Sequence, residues 1–69
     1  MSNRVYKIIQ LAGSSNTSIE DAVETAIAKA AKTVRNADWF EVTETRGQIK
    51  DGKVAHYQVI LNIGFRLED

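Results

Sequence analysis

The stretch WFEVTETRGQIKDGKVAHYQVILNIGFRL (residues 39–67) decides the fold, because it encodes two long strands joined by a tight turn. At its centre, KDGK (residues 50–53) contains Asp-Gly, a pair that suits the two positive-φ positions of a type I′ turn. We therefore predict a β-hairpin with strands over residues 39–49 and 54–67. The apolar side chains of the second strand that share one parity, and so form a predicted core face, are Tyr57, Val59, Leu61, Ile63, Phe65 and Leu67.

Upstream of the hairpin, apolar residues recur at the period of an α-helix. This stripe consists of Ile19, Ala22, Val23, Ala26, Ile27, Ala30 and Val34. Either Ser18 with Asp21 or Thr17 with Glu20 offers a capping box at the start of the helix. Several alanines make the helix thin, so it can approach a sheet closely.

The N-terminal segment VYKIIQLAG (residues 5–13) predicts a strand that is covered on much of both faces, and SSNTS (residues 14–18) predicts a loop. The order is therefore β-α-β-β over a single domain, residues 1–69. It predicts an α+β fold in which one helix packs on one face of a three-stranded antiparallel sheet. The other face carries a mixture of side chains and must be met by something else; its predicted members are Trp39, Gln58, Ile60, Asn62 and Arg66.

The composition excludes several classes of protein. Nine basic residues balance nine acidic ones, which argues against the basic face of a nucleic-acid binder. With no cysteine and one histidine, disulfides and a structural zinc site are not expected. The sequence has no segment typical of a signal peptide or a membrane span, so we expect a cytoplasmic protein without a membrane partner. A domain this small is marginally stable alone, and oligomerisation is the remaining means of stabilisation.

Two residues of the second strand face are candidate ligand contacts. Trp39, the only tryptophan, is expected on the polar side of its strand, either packed in a subunit contact or serving as a stacking platform for a flat ligand. Gln58 is interpreted as a lone amide among apolar neighbours. Its partner is either a backbone across an interface or the hydrogen-bonding edge of a ligand, which an amide matches with a donor and an acceptor.

The arginines Arg46 and Arg66 suit a phosphate or carboxylate clamp, or surface ion pairs of little energetic consequence. On a regular strand Arg46 has the wrong parity to share a face with Trp39. Either Gly47 marks a bulge that turns the chain, or Arg46 acts in the site of another subunit. His56 is expected to be exposed. No nucleophile with a base, paired carboxylates, metal cluster or glycine-rich phosphate loop is evident, so a binding role is favoured over an enzyme, with no catalytic and no metal-ligating residue.

The order and spacing of several short motifs resemble those of the dodecins, small flavin-binding proteins of bacteria and archaea. The motifs are LAGSSNTSIEDAV (residues 11–23), DWFEV (38–42), RG (46–47), YQV (57–59) and GFRLED (64–69). The resemblance covers essentially the whole chain and points to the bacterial type. It implies a hollow, cube-symmetric homododecamer with pairs of flavins stacked between symmetry-related tryptophans.

Carried over residue by residue, the resemblance implies that Trp39 stacks on the flavin and that Gln58 binds the edge of the isoalloxazine. It implies that Arg46 and Arg66 contact the side chain or phosphate of the flavin. Gln48 falls where some archaeal members have an acidic residue near the ribityl chain, and this difference leaves open whether FMN, riboflavin or FAD is preferred. Some bacterial members also bind coenzyme A, and no residue here decides that property.

The function implied is flavin storage and photoprotective quenching without turnover, because a neighbouring tryptophan donates an electron to an excited flavin. The alternative is an oligomeric assembly module whose second sheet face serves only protein contacts. A protein that is colourless and does not quench added riboflavin would favour the alternative.

Overall fold

The computed structural model of the protein describes residues 3–68. The chain forms β1 (Tyr6–Ser15), α1 (Ile19–Ala30), β2 (Ala37–Lys50) and β3 (Lys53–Arg66). The strands make one antiparallel sheet in the order β1-β3-β2, with β3 in the centre. The predicted β-α-β-β fold with one helix and a three-stranded antiparallel sheet is confirmed.

The turn between β2 and β3 has the backbone conformation that its sequence predicts. Asp51 and Gly52 have φ values of 54° and 73°, both in the left-handed region that a type I′ turn requires. Lys50 pairs with Lys53 directly before this turn. The Asp-Gly pair therefore sets the two-residue connection and the local register of the hairpin.

The helix begins as one of the two predicted capping arrangements. Ser18 is the N-cap, and its hydroxyl accepts a hydrogen bond of 2.9 Å from the backbone N–H of Asp21. The carboxylate of Asp21 in turn accepts a hydrogen bond from the buried Ser15 hydroxyl at 2.7 Å. Strand β1 continues to Ser15, two residues into the predicted loop, where Ser14 and Ser15 pair with Gln58 and Tyr57 of β3. The helix ends at Ala30, so the predicted stripe is wrong at Val34, which lies in the turns that follow.

The core lies between α1 and the sheet, chiefly β1 and β3. Its buried side chains are Ala22, Val23, Ala26, Ala30, Val59, Leu61 and Ile63. The helix approaches β1 so closely that a Cβ at Gly13 would lie 2.5 Å from the carbonyl oxygen of Ala22. Small residues on both elements thus allow this contact. Leu67, a predicted core residue, lies beyond β3 and is exposed.

The single chain leaves a large part of its apolar surface uncovered. Its radius of gyration is 14.4 Å, whereas a compact domain of this length has one of about 11 Å. The hairpin extends beyond the helix, and Ile49 at its end is 77% exposed. Ile8 of β1 is also exposed, so the prediction that both faces of this strand are covered is wrong within one chain. These surfaces are available for contacts with other molecules.

Candidate functional site

The candidate site lies on the sheet face turned away from α1, which we call the outer face. The strand register determines its members. Strand β1 contributes Tyr6, Ile8, Gln10, Ala12 and Ser14. Strand β2 contributes Trp39, Glu41, Glu44, Arg46 and Gln48, and β3 contributes His56, Gln58, Ile60, Asn62, Gly64 and Arg66.

A β-bulge in the middle of β2 brings Arg46 onto the outer face. Val42 pairs with Leu61 and Glu44 pairs with Ile60, so Thr43 has no partner and the alternation of side chains reverses after it. The Thr43 hydroxyl donates a hydrogen bond of 3.2 Å to the carbonyl oxygen of Ile60. Arg46 consequently lies directly opposite Gln58.

The predicted bulge therefore exists, but its predicted position at Gly47 is wrong. Gly47 pairs in regular register with Tyr57 on the helix side of the sheet. A Cβ at this position would lie 2.7 Å from the backbone carbonyl oxygen of His56. Gly47 is thus required by close approach of the two backbones and not by a bulge.

Trp39 lies on the outer face, as predicted, and its indole covers Gly64 on the central strand. A Cβ built on Gly64 would lie 2.1–2.6 Å from three indole atoms, Cε2, Cζ2 and Nε1. The ring of Tyr6 meets the indole in an edge-to-face arrangement, with centroids 6.0 Å apart and planes at 62°. Trp39 as a residue remains 38% exposed. It is therefore supported from below and from the side while part of its surface is open to a further partner.

Gln58 is half-buried on the outer face of β3. Its cross-strand neighbours are Ser14 of β1 and Arg46 of β2. The prediction that Gln58 is a lone amide among apolar residues is wrong, because Tyr57 and Val59 beside it in sequence point to the opposite face. Its surroundings are polar, and they combine hydrogen-bond donors with acceptors.

A row of hydrogen-bonded polar side chains crosses all three strands between Trp39 and Gln58. The Gln10 amide donates to Asn62 Oδ1 at 3.2 Å, and the Asn62 amide donates to Glu41 Oε1 at 3.5 Å. Asn62 was predicted on this face, but its hydrogen bonds to Gln10 and Glu41 were not, because they depend on the register of three strands.

The two arginines lie at opposite ends of the outer face. Arg46 forms an ion pair with Glu44, two residues away on the same face. Both side chains are about half exposed, so the pair contributes little to folding stability. Arg66 pairs with Tyr6, and its backbone N–H donates to the carbonyl oxygen of Asn36 at 3.0 Å. Arg46 thus belongs with Gln58, and Arg66 with Trp39.

Gln48 and His56 complete the end of the face that contains Gln58. These two residues are a cross-strand pair. His56 is half-buried, so the prediction that it is exposed is wrong. Within residues 3–68, no three histidine, cysteine, aspartate or glutamate side chains lie close enough together to bind a metal ion.

One chain does not bring all of the predicted contact residues together. Trp39 lies over Gly64, whereas Gln58 lies about 20 Å further along β3, because a strand rises about 3.3 Å per residue. A tricyclic ring on Trp39 cannot reach Gln58 of the same chain. If both residues contact one ligand, they must come from different copies.

Three residues that position Trp39 were not predicted as site residues from the sequence, namely Tyr6, Asp38 and Gly64. The Tyr6 hydroxyl donates a hydrogen bond of 2.9 Å to Asp38 Oδ2. Gly64 was recognisable in principle, because a glycine inside a strand often marks a close approach. Asp38 was not recognisable, because it lies between Ala37 and Trp39 at a register shift that the sequence does not reveal.

Of the described residues, none belongs to a helix that is long and apolar enough to cross a membrane.

Comparison with known proteins places these features in one family. The family model described as Dodecin matches residues 5–68. The chain is 50% identical to the dodecin of Thermus thermophilus over 66 residues, which are 96% of each chain. It is also similar to the structure of dodecin from Streptomyces coelicolor, with a TM-score of 0.91 and 51% identity over 100% of this chain and 99% of that one.

Structures of substituted Thermus thermophilus dodecins are similar to this chain as well. In three of them a tryptophan or one of two arginines is replaced, and these residues have the same spacing in sequence as Trp39, Arg46 and Arg66. Each of the three is 48% identical to this chain and has a TM-score of 0.90. The match covers 97% of this chain and at least 98% of each substituted chain. From the family model and the near-complete relatives together, the chain belongs to the dodecin family.

Proposed function

We propose that this protein is a non-enzymatic flavin-binding protein, which stores flavin and protects it from photochemistry in the cytoplasm. The flavins would stack in pairs between Trp39 side chains of symmetry-related copies in a hollow homododecamer. Gln58 would bind the polar edge of the isoalloxazine, and Arg46, Arg66 and Gln48 would contact the ribityl chain or the phosphate. Riboflavin, FMN and FAD share the ring system required, and coenzyme A is a further candidate ligand.

The placement of Trp39 is the observation that carries this proposal. Its indole is supported by Gly64 and Tyr6 on one side and is partly exposed on the other. A flat aromatic ligand would bury the remaining apolar surface, and stacking adds about 0.5–1.5 kcal/mol for each aromatic pair. The same contact would place an electron donor against an excited flavin and would quench it.

The arrangement of the other contact residues favours a site shared between copies. Arg46 and Gln58 are cross-strand neighbours, but they lie at the far end of the outer face from Trp39. A homo-oligomer would bring Trp39 of one copy to Gln58 of another. It would also cover apolar side chains such as Ile8 and Ile49, which would otherwise favour aggregation.

Titration of the purified protein with riboflavin, FMN and FAD tests the proposal, with flavin fluorescence as the measurement. We expect saturable quenching by the parent protein. In Trp39→Ala the affinity should be about five- to 150-fold lower, because stacking of a flat heterocycle on an aromatic contributes about 1–3 kcal/mol. Gel filtration should show the same assembly for both proteins.

Two outcomes contradict the proposal. A parent protein that does not quench any of the three flavins would support an assembly module whose outer face serves only protein contacts. Substrate-dependent reduction of bound flavin would indicate an enzyme, although the half-buried His56 is the only histidine and has no carboxylate opposite it in the register.

A further inference from the structure

We propose that Tyr6 and Asp38 form a clamp that fixes the orientation of the Trp39 indole before any ligand arrives. Tyr6 is then a positioning residue for the stacking surface. The clamp itself is a property of the free protein. Its effect on flavin affinity rests on the function proposed above.

Three contacts define the clamp. The Tyr6 hydroxyl donates to the Asp38 carboxylate at 2.9 Å, and the Tyr6 ring meets the Trp39 indole with its plane inclined by 62°. Asp38 directly precedes Trp39 in β2, so the hydrogen bond ties the backbone on one side of the indole to β1. Gly64 lies beneath the indole. The backbone of Gly64 thus limits rotation of the indole from below. The ring of Tyr6, held by its hydrogen bond to Asp38, limits rotation from the side.

The sheet topology makes this clamp a contact between strands that are not neighbours. Because β3 lies between β1 and β2, their backbones are about 10 Å apart, and only long side chains can meet above the central strand. Gly64 leaves the space there free of a side chain. The register shift between Ala37 and Trp39 removes Asp38 from regular pairing, and its carboxylate can then reach Tyr6.

A fixed indole lowers the cost of ligand binding. Immobilising a free side chain on binding typically weakens affinity by roughly two- to tenfold, and an indole that is already fixed avoids most of this loss. We therefore expect Tyr6 to affect the affinity for flavin although it need not contact the ligand.

The experiment uses the single tryptophan of the sequence as its own reporter in the ligand-free protein. Time-resolved fluorescence anisotropy of Trp39 is measured for the parent, Tyr6→Phe and Asp38→Ala, and riboflavin is then titrated into each. Tyr57→Phe is the matched control, because it also removes one tyrosine hydroxyl but lies on the helix side of the sheet. Asp38→Asn is the conservative variant, since its amide oxygen can still accept the hydrogen bond.

We expect a larger amplitude of fast indole motion in Tyr6→Phe and Asp38→Ala, with parent-like values in Tyr57→Phe and Asp38→Asn. The affinity for riboflavin should fall by roughly two- to tenfold in the first two variants only. Parent-like anisotropy in both Tyr6→Phe and Asp38→Ala overturns the clamp. Faster indole motion with unchanged riboflavin affinity overturns its positioning role.

The two proposals can fail separately. If the parent does not bind riboflavin, the anisotropy still decides whether the clamp exists. If Tyr6→Phe fails to fold, Asp38→Ala carries the test, because Asp38 is exposed and has no part in the core.

Discussion

Substitution of Gly64 by alanine adds a single methyl group beneath Trp39 and tests whether the position of the indole controls ligand binding. The backbone tolerates alanine there, since Gly52 alone among the glycines within residues 3–68 has a positive φ. The new Cβ would lie 2.1 Å from Trp39 Cε2, whereas carbon atoms in contact are about 3.5–4.0 Å apart. The indole must therefore move by at least about 1 Å.

The expected effects on folding and on binding differ in size. Overpacking in a core costs about 1–3 kcal/mol, and the lower end applies here because the indole is partly exposed and can rotate outward. A displaced indole should lose most of its stacking contribution of about 1–3 kcal/mol, which corresponds to about five- to 150-fold weaker binding of riboflavin. The oligomeric state should be retained.

The assay is a riboflavin titration by fluorescence, combined with denaturant unfolding and gel filtration. Ala28→Ser is the control, since it also adds one side-chain heavy atom, but at an exposed position of α1 and not on the outer face. Its affinity should equal that of the parent. If Gly64→Ala retains the assembly and binds riboflavin as tightly as the parent does, the indole over Gly64 is not the stacking surface and the reasoning is refuted.

Three further predictions concern the assembly and the other outer-face residues. Native mass spectrometry should show a homododecamer, and a folded monomer at micromolar concentration would contradict this. Gln58→Leu should weaken riboflavin binding by an amount corresponding to about 1–3 kcal/mol and leave the binding of an apolar flat dye unchanged or improved; equal loss for both would indicate damage to the fold. If Arg46 or Arg66 contacts a phosphate, added salt should weaken FMN binding more than riboflavin binding, because screening acts on the charged pair. Arg→Met at the responsible position should abolish this difference in salt response. If salt affects the binding of both flavins equally, the arginines serve subunit contacts instead. Gel filtration should then show that the Arg→Met variants dissociate.

The elements that local chemistry determines could be predicted from the sequence. The turn follows from Asp-Gly, because both residues accept positive φ, and the helix start follows from Ser18 as its N-cap. The apolar parity of β3 likewise identified Val59 and Leu61 as core residues. In each case the signal lies within a few residues of its effect.

The environment of the candidate site could not be predicted, because it depends on the pairing of three strands. Thr43 carries no sequence signal for a bulge, since threonine is a residue that favours regular strands. Without that bulge, Arg46 is assigned to the wrong face and the polar surroundings of Gln58 are missed. The contact of Tyr6 with Asp38 is similarly invisible, because it joins two strands across a third.

Under the proposed function, the separation of Trp39 and Gln58 at opposite ends of the outer face couples assembly to ligand binding. Trp39 and Gln58 of one chain are about 20 Å apart, so a ligand that contacts both binds the assembled protein and not the separate chain. Any ligand with this preference stabilises the assembly by RT ln(1 + [L]/Kd), about 2.7 kcal/mol at a concentration of 100 Kd. The hydrophobic surface at the end of the hairpin, with Ile49 and Val54 exposed, lies far from Trp39, and we expect it to contribute to association without ligand. Substitutions at the hairpin end should therefore affect assembly, and substitutions near Trp39 should affect ligand binding. Each process still strengthens the other by mass action.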